Sequence, residues 1–372
     1  MMRPAFSSTK QAAAFALLLL VLLALPAIVR KNWLPPREQA YSVQGWGNGP
    51  YPWIRNQIFE ETNDIDIAFM GSSHILTAID TPYVQQKLSE KLGRPAVVRT
   101  IAWGGPGYDG LFLITQDLLE HRKVHELVFY DESVQTLRNS AITCLFRFGE
   151  NASSLTGLPL ADKGLFYFAS LIGMPRNLLS LVQPNIPAEL FSDRPGYIKP
   201  HDKVFSDAPN QLGAVALHLG YNANPLFSDN APFMPYRPLA TNRIPAAIYT
   251  LSNQCKDFEF SNAPLPLWQA HFARQFAMLA EKHGCKLVML HFPDLDKVQA
   301  TVIRERVFWP AIFSTNMALV GIPAQPMFRG LTDDEIKKLF SDKEHLNQNG
   351  MEFFTPLVTP ALLELYDAPV NH

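Results

Sequence analysis

The sequence predicts an α/β fold, a parallel sheet with helices on both faces. Three observations predict it. Apolar, β-branched runs of strand length recur at 65–70, 96–103, 126–130 and 286–292. Stretches of helical period separate most of them, at 81–92, 109–121 and 265–283. Turn residues close each run: Gly71-Ser72-Ser73, Gly104-Gly105-Pro106-Gly107, Asp131-Glu132-Ser133 and Pro293-Asp294. Strands alternating with helices give parallel βαβ units.

The chain of 372 residues carries a net charge of -2, with 18% charged and 47% hydrophobic residues. That suffices for a sizeable core, and the length allows one to three domains. The near-neutral balance excludes a nucleic-acid binder, which needs a clustered basic excess. Thirty prolines against 20 glycines point to long ordered loops. Cys144, Cys255 and Cys285 form no CxxC and no Cys/His metal spacing, so no metal or other cofactor is expected. Cys285, opening an apolar run, reads as a small core residue. A Cys144–Cys255 disulfide is open to an oxidising compartment.

Residues 1–31 read as a membrane anchor or signal. The run AAAFALLLLVLLALPAIV holds 18 residues without a charge, between Lys10 and Arg30. It reaches the length of a membrane span and is apolar on every face, unlike a surface helix. Ala24-Leu25-Pro26-Ala27 is a poor cleavage site, so an uncleaved single-pass anchor is the preferred reading, with the body outside the cytoplasmic membrane. Residues 32–64 form a connector with Pro35-Pro36 and a Gly-rich stretch before Pro50, ending in a short helix near 53–61. Residues 65–372 form the main domain. From about 140 to 264 the alternation degrades into helical pieces (164–172, 176–182) and Pro-, Asn- and Asp-rich loop. This is an insertion, and a long irregular stretch inside a domain is usually functional. A helix at 302–317, a short strand near 319–323 and a last helix at 351–366 complete the chain.

The strand ends collect the chemistry. In a doubly wound sheet, ligands sit at the carboxyl ends of the strands. The first turn offers Ser73, the second Gly105, the third Asp131 and Glu132. A loop before the last helix offers Asp342-x-x-His345. A serine hydroxyl needs a base within hydrogen-bond reach. His345 can supply it, and Asp342 can hold the other ring nitrogen. The backbone N–H groups of Ser73 and Gly105 are the candidate oxyanion donors. Ser73 could instead be only a helix cap, since serine caps well, and Gly105 only a turn glycine. Ser72, His74 and His291 are candidate cleft residues. His74 also neighbours Ser73 too closely in sequence to be the favoured base. With His291, Asp294 and Asp296 could line the same edge or bind a cation, though Asp-Leu-Asp more often caps a loop. The aromatics of the insertion (Phe166, Tyr167, Tyr221, Phe233, Tyr236) could stack on sugar or simply pack in a core.

This pattern resembles the SGNH/GDSL hydrolase superfamily. Gly71-Ser72-Ser73 stands at the Gly-x-Ser of its first block, Gly105 at the second-block glycine, and Asp342-Lys343-Glu344-His345 at the Asp-x-x-His of its last block. The apolar N-terminus and the His345-Leu346-Asn347-x-x-Gly350 continuation look most like membrane-anchored envelope members. Those include the teichoic-acid D-alanyl transfer protein and polysaccharide O-acetyltransferases. The resemblance covers about 65–135 and 265–366. It implies a flavodoxin-like sheet and acyl transfer through a seryl ester. It also implies an acyl-carrying polysaccharide or envelope glycan as partner, with a membrane-bound acyltransferase as a further one. Two departures stand out. Ser72 replaces the usual Asp before the serine, and Asp131-Glu132 stands where the third block offers an oxyanion-binding Asn.

Overall fold

The computed structural model describes residues 8–30, 35–42, 51–103, 107–130, 145–179, 244–251, 258, 265–295, 312–313, 317–340 and 342–367. The strands are β1 (Ile65–Gly71), β2 (Val98–Ala102), β3 (Val124–Tyr130), β4 (Ala247–Thr250), β5 (Lys286–His291) and β6 (Ala318–Gly321). The helices that matter below are α1 (Thr9–Arg30), α2 (Ser73–Ala78), α3 (Thr81–Leu92), α4 (Tyr108–His121), α5 (Leu160–Leu179), α6 (Leu267–Lys282) and α7 (Gln348–Asp367). They belong to two compact units, one of 1–43 with 140–187, the other of 44–139 with 188–372. The expected insertion is therefore divided: its first part clusters with the N-terminal segment.

The larger unit is built on one six-stranded sheet in the order β2-β1-β3-β5-β6-β4. All neighbours are parallel except β4, which runs antiparallel to β6. Every residue of β1 is buried. That explains why its apolar residues do not alternate with polar ones, because a strand covered on both faces is apolar on both. Its one charge, Asp66, is tied by Arg94 at 2.6 Å and by the Tyr366 hydroxyl at 2.6 Å. β2 and β3 lie on opposite sides of β1, so right-handed crossovers place α3 and α4 on opposite faces. α4 packs on α6, and α7 packs on α2 and α3.

The strands, α3, α4, α6 and α7 lie where the sequence pattern puts them, within a few residues. The structure differs in two places. β4 is an addition to the expected strands; four residues at a sheet edge carry too little pattern to separate from loop. The two helical pieces near 164–182 are one helix, α5, continuous through Pro175. The expected lead-in helix is present, as one α-helical turn, Tyr51–Arg55, passing into a π-helical turn, Asn56–Glu60. The expected helix at 302–317 lies mostly outside the described residues, as do Cys144, Cys255 and Asp296.

In the smaller unit the apolar N-terminal run is helical, as α1, and Phe15 and Leu17 to Leu23 are exposed. Among the described residues, no helix is long and apolar enough to cross a membrane. The side chains of α1 are described only as far as Ala24. Cys285 is a buried free thiol, and burial pushes it up to about 12.

Candidate active site

The site forms where the strand order reverses, beside the carboxyl ends of β1 and β3. Gly71 ends β1, and the chain turns at once into α2. Ser72 is the N-cap of α2: its extended backbone (φ -87°, ψ -166°) and its Oγ, which accepts the His74 N–H at 3.4 Å, start the helix. Ser72 is fully buried. Capping falls to Ser72 and not to Ser73, so Ser73 stands at the first helical position with its hydroxyl free to face the cleft. Its backbone N–H is among the first of the helix, which have no intrahelical partner.

Ser73 Oγ lies 2.7 Å from His345 Nε2. His345 Nδ1 lies 2.7 Å from Asp342 Oδ2 and 2.9 Å from Oδ1. An ionised carboxylate only accepts, so Nδ1 carries the proton and Nε2 is left to accept from the serine. The sequence separation of 272 between serine and histidine is closed by the loop before α7. That loop is shaped locally. Asp342 Oδ1 accepts the N–H groups of Glu344 at 2.8 Å and His345 at 2.7 Å, an Asx-type turn. Phe340 and Leu346 pair as an antiparallel bridge. Asn347 donates to the carbonyls of Lys338 and Phe340 and accepts the Gly350 N–H, which binds the loop to the first turn of α7. The Lys343 carbonyl accepts the Leu295 N–H at 2.8 Å, fixing the loop to the end of β5.

Burial alone would raise the Asp342 carboxyl. The hydrogen bond from His345, the N–H groups of Glu344 and His345, and the attraction of the His345 ring outweigh it, and the group lies below its ordinary value. A carboxylate so held can orient the imidazole and stabilise the imidazolium.

His74 is packed into the site. Its ring stacks on His345 at 4.9 Å on one side and on Tyr130 at 4.9 Å on the other. Tyr130 in turn stacks on Phe292 at 4.6 Å. Four rings thus run in series from the core to the base. His74 Nδ1 lies 3.1 Å from Ser72 Oγ, and its Nε2 lies 3.9 Å from Asp294 Oδ1. The Tyr130 hydroxyl donates to the same carboxylate oxygen at 3.2 Å. The sequence marks His74 and Asp294, but not Tyr130 or Phe292, which read as ordinary strand residues. Their only signal is position, at the ends of β3 and β5.

His291 is fully buried with its ring edge-on to Phe258 at 5.1 Å. It lies one position before Phe292, so strand alternation turns it to the other face of the sheet. Gly105, Asp131 and Glu132 lie outside the described residues, as do Tyr221, Phe233 and Tyr236. Phe166 packs on Phe146, and Tyr167 meets Phe148 edge-on, all in the smaller unit. Among the described residues no group of three His, Cys, Asp or Glu could hold a metal ion. Compared with models of known families the chain matches none, and a search of curated proteins returns no match.

Proposed function

We propose that the chain is a membrane-anchored serine esterase or O-acyltransferase of the SGNH type, acting on acyl groups of an envelope glycan or exopolysaccharide outside the cytoplasmic membrane. The observation that carries this reading is the hydrogen-bonded series Ser73, His345, Asp342 at the strand-order reversal. Two others support it. The five parallel strands, taken in chain order, follow the flavodoxin-like order 2-1-3-4-5. The uncharged run of α1 suits a single-pass anchor.

Ser73 Oγ attacks the acyl carbonyl carbon while its proton passes to His345 Nε2. The tetrahedral oxyanion is received by backbone N–H groups, those of Ser73 and Gly105. Its collapse expels the donor's alkoxide, which takes the proton from His345 and leaves as an alcohol. A seryl ester remains. Water or a glycan hydroxyl then gives its proton to His345 and attacks the ester; the second tetrahedral species collapses as His345 returns that proton to Ser73 Oγ, releasing an acid or an acylated glycan and restoring Ser73. A membrane-bound acyltransferase is the expected source of activated acyl groups. No cofactor takes part in these steps.

The test is labelling of the detergent-solubilised full chain with a fluorophosphonate. Labelling of the wild type that disappears in Ser73→Ala supports the reading. An intact fold that never labels favours a second reading, a non-catalytic binding or scaffold component. Asp131-Glu132 favours that second reading, since carboxylates where an asparagine is expected would repel an oxyanion.

A further inference from the structure

The helix α5 of the smaller unit is apolar on two faces. One face is used inside the unit. Phe166 and Ala169 are buried, Phe166 packs on Phe146 at 5.1 Å, and Ser170 Oγ accepts the Phe148 N–H at 3.0 Å. A second stripe, Ala161, Leu165, Phe168 and Ile172, is exposed, at the i, i+4, i+7, i+11 spacing of one helix face. Phe168 is 62% exposed and Ile172 58%, and Leu160 beside them is 84% exposed. A helix facing water carries polar residues on that stripe. Here it carries no charge.

What covers the stripe is indicated by its own unit. α1 packs on the short helix Phe148–Asn151, which also contacts α5. α1 presents a second exposed apolar surface, Phe15 and Leu17 to Leu23. Two helices with exposed apolar stripes joined through one short helix share a medium, and the medium that suits an 18-residue uncharged run is lipid. α5 itself cannot span. Asp162 and Lys163 sit in its first turn, and its other face is committed to Phe146 and Phe148. An apolar stripe on a helix otherwise held by its own protein lies in the plane of the boundary between headgroups and acyl chains.

We propose that α5 is an in-plane membrane helix, with Leu165, Phe168 and Ile172 inserted into the bilayer surface beside the anchor. The proposal rests on reading α1 as a membrane anchor. The first part of the insertion then serves as a second attachment to the surface from which the anchor emerges.

The full chain is reconstituted into vesicles of phosphatidylethanolamine and phosphatidylglycerol. A benzoylphenylalanine photocrosslinker is placed at position 168 or, as control, at Asp334, whose side chain is 86% exposed in the other unit. The expected result is a phospholipid adduct at 168 and none at 334. A crosslinked dimer at 168 shows that a second copy covers the stripe, and it overturns the proposal. So does the absence of any adduct in a protein whose circular dichroism is unchanged. Carbonate extraction and fluorophosphonate labelling are run on the same samples. A chain that stays in the membrane and labels at Ser73 without a lipid adduct at 168 sinks this proposal alone. Release by carbonate together with a missing adduct sinks the anchor and the in-plane helix together. Release with a lipid adduct at 168 removes α1 as the anchor and overturns the proposal as stated, since α5 then meets lipid without an anchor beside it.

Discussion

The rings of His74 and His345 stack 4.9 Å apart at an interplanar angle of 27°. A base that must accept a proton from one oxygen and deliver it to another needs a fixed ring plane. The Asp342 carboxylate fixes one edge of that plane, and His74 fixes its face. His74 is thus a positioning residue. Replacing it by alanine leaves the His345 ring free to tilt. Misplacement of a reacting group by about 1 Å can cost two orders of magnitude, so the fluorophosphonate rate in His74→Ala should fall by roughly ten- to a hundredfold. His74→Phe keeps the stack and should recover most of the rate. Equal losses in both variants would show that His74 acts through its nitrogens, toward Ser72 and Asp294, and not through its face.

Asp342→Asn separates shape from charge. An asparagine Oδ1 can still accept the N–H groups of residues 344 and 345, so the loop should hold its turn. Its amide also places a donor where Nδ1 donates now. The histidine then favours the tautomer with the proton on Nε2, which cannot accept from Ser73. Such a tautomer error costs about four orders of magnitude in a serine triad, and single-turnover kinetics should show a loss of that order in a variant that still folds. The pH sign follows from the lowered carboxyl. Between its folded and unfolded values the folded state binds fewer protons, so this group contributes stability at neutral pH and loses it as pH falls through the folded value. The variant should lack that acid-side loss. An unchanged rate in Asp342→Asn would remove Asp342 from the mechanism.

Gly350 explains why the residues after His345 matter. A Cβ there would run into the Leu339 carbonyl and come within 2.9 Å of two Leu346 side-chain carbons. The first turn of α7 therefore lies directly on the strand-like pair that carries His345. Gly350→Ala must push the two apart, at a cost of about 1–3 kcal/mol. The expected outcome is a lower melting temperature together with slower labelling of Ser73, because the displaced element holds the base. Lower stability with unchanged labelling kinetics would show that the loop keeps its place by the Asn347 bonds alone.

The parallel sheet was legible because buried strands write themselves as apolar runs without alternation, as in β1, where Asp66 is the one charge. Ser73, Asp342 and His345 were legible as residue types at turns, though nothing in the sequence measures the distance between the serine and the loop. What it could not show is what faces the base. Tyr130 and Phe292 differ from other strand aromatics only by standing at strand ends, and stacking is a property of the assembled edge. β4 was missed for want of length. The apolar stripe of α5 was hidden because an exposed apolar residue and a buried one carry the same letter.

The far end of the sheet holds a carboxyl that should govern stability. Glu126 is fully buried in β3, with no hydrogen-bond partner for either oxygen among the described residues. Burial pushes it up to about 8, although Lys286, paired beside it in register on β5, and Lys91 pull the other way. Lys286 is itself engaged with the carbonyls of Leu365 and Tyr366 at the end of α7. The folded state therefore keeps this proton over a range where the unfolded chain, near the ordinary value of 4.5, has released it. In that window stability falls as pH rises, by up to about 1.4 kcal/mol per pH unit for one proton. Other carboxylates have slopes of the opposite sign, so the informative quantity is the difference between wild type and Glu126→Gln. Denaturant unfolding from pH 5 to pH 8 should show the variant gaining on the wild type with each unit and levelling off above about pH 8. A difference that stays flat would mean that Glu126 is ionised in the fold and paired with Lys286.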